Sequence, residues 1–181
     1  MNDRESLAAL LRERSVSFGD FRLSSGQRSN FYIDARKTTM SAQGQLLLGK
    51  IGLSAIRKAG WAPVAVGGLT MGADPVAYAI ARASAEAPPP INAFSVRKSP
   101  KDHGTARRIE GNFSSGDAVV VLEDTITSGA SALQAAEAIR AEGGRILGVL
   151  AVVDRDQGGR AVIQASGIDV VVLTTVHDLG L

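Results

Sequence analysis

The sequence predicts an α/β fold, a mainly parallel sheet flanked by helices, and three observations carry that expectation. From residue 63 onward, short apolar runs of strand length alternate with longer helix-forming runs. The run at 118–122, AVVVL, is apolar without interruption; a strand covered on both faces reads this way, whereas a half-exposed strand alternates. Hydrophobic residues make up 45% of the 181 residues but aromatics only 4%, so the core is built from Ala, Val, Leu and Ile. This length suits one domain, or one domain with a small appendage.

The elements follow in order. Residues 3–14 read as an amphipathic helix, with Leu7, Leu10 and Leu11 on one side and Asn2 or Asp3 as cap. Residues 18–23 and 30–34 read as short strands around the turn SSGQRS. A helix over 41–59 stops at Gly60. The alternation then sets in, with strands at 63–66, 92–96, 118–122, 146–153 and 170–174 and helices at 72–82, 131–142 and 160–166. The stretch 83–90, ASAEAPPP, is the one linker-like segment, short enough for a helix-to-strand loop. Residues 1–40 break the pattern and are expected to form a helix and a hood covering the sheet's edge or its ligand end, with 41–181 as the core. Trp61 is expected in the core, His177 at the surface or in packing, and Arg4, Arg12 and Arg14 on a solvated helix face.

Composition excludes several classes. No segment approaches the ~20 apolar residues of a membrane span, and the N-terminus is charged from Asp3 onward, without a signal peptide's apolar centre. There is no cysteine, which excludes disulfide and thiolate chemistry and fits a cytoplasmic protein. The net charge is only +2. Basic residues concentrate at 97–108 and form no broad stripe, so no nucleic-acid partner is expected.

The most informative segment is 119–131, VVVLEDTITSGAS. An apolar strand ends at two carboxylates, Glu123 and Asp124, then a turn of hydroxyls and one glycine leads into a helix. The carboxyl end of a strand, opening onto a helix N-terminus, is where open α/β sheets bind ligands. Amides of 127–131 and the positive helix end can hold a phosphate. Glu123 and Asp124 would repel that phosphate but suit a sugar diol or a divalent cation. The combination points to a ribose phosphate with a metal nearby. The segment has neither the Gly-x4-Gly-Lys loop nor G-x-G-x-x-G. An ordinary turn capped by Asp124, Thr127 or Ser128 has the same spacing.

The second informative stretch is 94–111, FSVRKSPKDHGTARRIEG. Arg97, Lys98, Lys101, His103, Arg107 and Arg108 crowd into twelve residues, broken by Pro100 and Gly104. A solvated hairpin tip can look like this. So can a binding loop whose like charges are neutralised by a polyanion such as pyrophosphate.

The first segment resembles the signature of type I phosphoribosyltransferases, matching at Glu123, Asp124, Thr127 and Gly129. The second closely resembles the mobile loop of orotate phosphoribosyltransferases, F-x-V-R-K-x-x-K-x-H-G. Residues 21–34 (FRLSSGQRSNFYID), 67–77 (GGLTMGADPVA) and 152–159 (VVDRDQGG) resemble the family's roof segment, second phosphate-side loop and V-D-R-x-x-G-G.

The resemblance implies Mg²⁺-dependent transfer of ribose 5-phosphate from phosphoribosyl pyrophosphate (PRPP) to orotate in pyrimidine biosynthesis, giving orotidine 5′-phosphate and pyrophosphate. It implies PRPP contacts from Arg97, Lys98, Lys101 and His103, from Glu123 and Asp124, and from Thr125, Ile126, Thr127, Ser128, Gly129, Ala130 and Ser131. Orotate would meet Thr127 and Arg155, and Lys101, His103 and Asp124 would be catalytic. The Mg²⁺ would be held mainly by PRPP, with no protein ligand assigned. A homodimer is implied, its active sites sharing the mobile loop 98–108. Two departures stand out: lysines that many members carry in the roof and second loop are Ser24 and Gly72 here. Other readings are a transferase for a different base, against which Arg155 and the roof argue, and a PRPP-sensing regulator.

Overall fold

The computed structural model describes residues 2–22, 28–99 and 108–181. Helix α1 (Asp3–Ser15) is capped by Asn2, whose side chain accepts from the Arg4 and Glu5 amides while Glu5 accepts from the Asn2 amide. Leu7 and Leu11 on its inner side are fully buried, each burial stabilising by about 1.5–3 kcal/mol. Strands β1 (Val16–Arg22) and β2 (Arg28–Ile33) pair antiparallel as a separate ribbon. A one-turn helix, α2 (Arg36–Thr39), follows. Its four residues are too few to show a helical period, so the sequence did not announce it. Helix α3 (Ala42–Lys58) begins at Ser41, whose hydroxyl oxygen accepts from the Gly44 amide at 3.0 Å.

The main sheet has the order β5-β4-β3-β6-β7-β8, comprising β3 (Ala65–Leu69), β4 (Asn92–Val96), β5 (Ile109–Gly111), β6 (Ala118–Ile126), β7 (Arg145–Asp154) and β8 (Val170–Thr175). All pairs are parallel except β4 with β5. The α/β class is as predicted. Strand β6 shows why its sequence reads as it does. Val120 and Leu122 join the core under α1, α3 and α4 (Asp74–Glu86), while Val119 and Val121 join the core under α5 (Ala130–Ala141) and α6 (Gly159–Ala165). Both faces are covered, so both must be apolar.

Several boundaries differ from expectation. Strand β6 continues to Ile126 instead of ending at 122, because the carboxylates do not interrupt its ladder: Glu123 registers with Ala151 and Thr125 with Val153 of β7. Strand β5 was not anticipated; it pairs with the end of β4, and the Arg97 amide donates to the Arg108 carbonyl at 2.8 Å, closing the base of the basic stretch. Helix α4 runs to Glu86 and absorbs half of ASAEAPPP. Buried Ser84 anchors that end, donating to Ala81 O at 2.7 Å and accepting from the Ile91 amide at 2.8 Å. Two of the arginines expected on a solvated face are staples instead. Arg4 donates to the carbonyls of Leu173 and Val172 at 2.5 and 2.6 Å, and Arg12 donates to the Leu179 carbonyl, tying α1 to the C-terminal edge. Trp61 is half-buried, packed over Gly148, and His177 is exposed beside Asp156 at 3.3 Å. Among the described residues, no helix is long and apolar enough to cross a membrane.

Candidate active site

A polar cavity of about 470 Å³ lies between the carboxyl ends of β3, β6 and β7 and the β1–β2 ribbon. A larger groove of about 890 Å³ between α3 and α4 is mainly apolar and contains none of the residues singled out from the sequence. The polar cavity gathers Lys98, Glu123, Asp124, Thr125, Thr127, Ser131 and Arg155 from four separate elements.

Glu123 and Asp124 form one edge. Burial pushes the Glu123 carboxyl well above its ordinary value, and the neighbouring Asp124 charge pushes it further. Asp124 is also raised by burial, opposed by hydrogen bonding from Glu123 and by the field of Arg36. Two adjacent, desolvated carboxyls favour a single negative charge between them, with Glu123 holding the proton. A cation or a set of hydroxyl donors placed against the pair would favour the fully ionised form.

The turn after β6 is shaped by glycine. Gly129 precedes α5 with φ of 81°, and no side chain caps the helix. A Cβ on Gly129 would lie 2.7 Å from the Gly159 carbonyl oxygen. The turns after β6 and β7 thus interlock backbone to backbone. The capping role open to Asp124 or Thr127 is not realised; Ser128 makes only a long 3.4 Å contact to the Ala130 amide. The helix N-terminus is left to the cavity side. Ile126 is 1% exposed and belongs to the core, so only its backbone faces this turn, and its carbonyl accepts from the Arg155 amide at 3.0 Å.

Arg155 follows β7. It is 7% exposed, and its Nε and Nη2 are buried without a hydrogen-bond partner among the described residues. The guanidinium lies 5.5 Å from the ring centroid of Phe31. Burial pulls its pKa below the usual arginine value. An unpaired buried guanidinium is costly, and a planar anion would satisfy both nitrogens at once.

The basic stretch divides. Lys98 lines the cavity and its field acts on Glu123. Arg97 is exposed and bound to Glu110 at 3.0 Å, outside the cavity. Lys101, His103 and Ser24 lie outside the described residues, as does most of the loop 98–108. Ser128, Gly129 and Ala130 shape the turn without lining the cavity. Residues that sequence reasoning did not single out also line it: Arg22, Tyr32 and Asp34, and above all Arg36, whose Nε donates to Asp34 at 2.8 Å. Position in the segment YIDAR was the only signal available for Arg36.

No protein-family model matches the chain. The orotate phosphoribosyltransferase of Aquifex aeolicus is 45% identical over 182 residues, covering 99% of this chain and 98% of the relative. That of Corynebacterium glutamicum is 46% identical over 178 residues, covering 98% and 94%. A crystal structure of Mycobacterium tuberculosis orotate phosphoribosyltransferase in complex with 5-phospho-alpha-D-ribosyl 1-diphosphate matches with a TM-score of 0.85 at 40% identity, covering 99% of this chain and all of that one. Such identities over nearly the whole of each chain go beyond a shared fold, and the chain belongs to the orotate phosphoribosyltransferase family.

Proposed function

We infer that the chain transfers ribose 5-phosphate from PRPP to N1 of orotate, forming orotidine 5′-phosphate and pyrophosphate in pyrimidine biosynthesis. The observation that carries this reading is Arg155, a buried guanidinium with two unpartnered nitrogens at the cavity wall. A planar carboxylate on the base completes it, and Thr127 adds a hydroxyl beside it.

The remaining roles follow from placement. Amides of residues 127–131 at the start of α5 bind the 5-phosphate. Glu123 and Asp124 take the ribose hydroxyls. As the bond from C1 to pyrophosphate lengthens, positive charge grows on the sugar, and the acid pair stabilises it at close range in a desolvated site. Arg97, Lys98, Lys101 and His103 bind pyrophosphate, with Lys101 and His103 assisting its departure. The loop 98–108 closes over the site and excludes water. Because Arg97 points to Glu110 outside its own cavity, it is assigned to the second active site of a homodimer. Residues 1–40 act as the hood and 41–181 as the catalytic core.

Magnesium fits the donor set in a limited way. Among the described residues no group of three metal-ligating side chains exists, so these residues form no cage for an ion. Mg²⁺ held mainly by PRPP and waters would need only one or two carboxylates, which Asp124 and Glu123 would lend from beside the ribose. When bound, the ion supplies positive charge to the pyrophosphate. The cysteine-free composition suits work in the cytoplasm.

The test mixes protein, PRPP, Mg²⁺ and orotate and follows the loss of orotate absorbance. Turnover with orotate, and none with uracil, hypoxanthine or adenine, is expected; no turnover while PRPP still binds would replace the transferase by a PRPP sensor. Lys101→Ala should lower turnover far more than orotate affinity, and near-normal turnover in that variant removes the lid assignment.

A further inference from the structure

The cavity contains a guanidinium that the roles above do not use. Arg36 opens α2, a turn fixed from within: Ala35 is 1% exposed and Thr38 and Thr39 are fully buried. The Thr38 hydroxyl shares a 2.7 Å hydrogen bond with Ser15 at the end of α1. Asp34 steers the side chain, its Oδ1 accepting from Nε at 2.8 Å and from the Arg36 amide at 3.3 Å. The terminal nitrogens of Arg36 hydrogen-bond nothing else among the described residues, and the side chain is 46% exposed. A fork held at its base, with its prongs free at a cavity wall, is pre-organised for a bidentate anion.

Geometry indicates which anion. On the proposed reading, the donor's 5-phosphate sits at 127–131 and its ribose lies over Glu123 and Asp124. The group on C1 then projects past the acid pair, away from that turn. Gly72 lies so close to Asp124 that an added Cβ would be 2.7 Å from the carboxylate carbon. The turn Thr70-Met71-Gly72 thus approaches Asp124 with backbone and brings no cation of its own. Arg155 lies against Phe31, whereas Arg36 lines the cavity together with Asp124 and Gly72.

We propose that Arg36 is a substrate-binding residue, its guanidinium holding the diphosphate of PRPP, and later free pyrophosphate, between α2 and the Thr70-Met71-Gly72 turn. This rests on the transferase reading. Binding there orients the leaving group and sets a fixed guanidinium against the charge that grows on it.

The experiment titrates Mg²⁺-pyrophosphate into the folded protein by calorimetry and measures KM for PRPP and for orotate separately. Arg36→Gln is expected to weaken pyrophosphate binding and raise the PRPP KM by about tenfold or more, with the orotate KM within about twofold of wild type. Arg36→Lys should recover part of the loss, since charge remains but the fork does not. Asp34→Asn keeps the cation and should lose less than Arg36→Gln. Wild-type pyrophosphate affinity in Arg36→Gln overturns the proposal, and so does an equal loss in Asp34→Asn, which would make the pair a structural clasp. Wild-type turnover in the same assay checks the parent reading separately: pyrophosphate binding that depends on Arg36 without turnover would retain this site and reject the transferase.

Discussion

The two charged walls of the cavity balance their charges differently. On the ribbon side, Asp34 and Arg36 form a 2.8 Å ion pair, and the guanidinium holds the Asp34 carboxyl below its usual range. That wall neutralises its carboxylate while leaving the terminal nitrogens of Arg36 unbonded among the described residues. On the sheet side, Glu123, Asp124 and Arg155 are buried deeper and stay unbalanced: both carboxyls are pushed up by burial, and two Arg155 nitrogens have no partner among the described residues. Charge left uncompensated in a low-dielectric wall destabilises the free protein, and a ligand of matching charge recovers that cost on binding. The contrast separates a cation pre-oriented by its own carboxylate from charges left unbalanced until substrate arrives.

The strongest way to break this comparison is Arg155→Met. Losing two charge-assisted hydrogen bonds should cut kcat/KM for orotate by about 10²–10³-fold, roughly 3–4 kcal/mol. The same change should raise Tm, because an unpartnered buried guanidinium gives way to an apolar chain of similar length. A fall in Tm together with activity would mean that Arg155 holds the fold after all. Next comes Gly129→Ala. With φ of 81° and a Cβ destined for 2.7 Å from Gly159 O, it should cost about 1–3 kcal/mol in urea unfolding and abolish PRPP binding. Unchanged stability would contradict the interlocked turns.

Glu123→Gln sharpens the comparison through pH. The folded-state pKa of Glu123 lies above the ordinary 4.5. Between 4.5 and that raised value, the folded protein holds a proton that the unfolded chain has released. Stability therefore falls as pH rises through the window, by about 1.4 kcal/mol for each unit of separation. Urea unfolding as a function of pH should show this slope in wild type and a flatter one in Glu123→Gln; identical slopes would rule out Glu123 as the proton holder. The smallest effect belongs to the ribbon wall. Asp34→Asn breaks a partly exposed, screened pair and should change unfolding free energy by no more than ~1 kcal/mol, whereas a larger loss would make the pair a structural clasp.

Much of this was legible in the chain. The run AVVVL announced a two-face buried strand because its local composition cannot suit any half-exposed one. The residues EDTITSG announced the acid pair and glycine turn because their chemistry is written in consecutive positions. Other features were not legible. Helix α2 and strand β5 are too short to show a period. Arg4 and Arg12 looked solvated because their acceptors, the carbonyls of Val172, Leu173 and Leu179, belong to the other end of the chain. Arg36 belonged to no motif, and only the folding of α2 brought it to the cavity wall.

The sequence by itself determined the order of elements, the aliphatic core and the residue types delivered to the strand ends, since these depend on local period and composition. Tertiary structure alone decided which charges are paired and which are buried unpaired. Desolvation and partner supply are set by segments far apart in the chain, as Phe31 is from Arg155 and Gly72 from Asp124, and no local pattern records them.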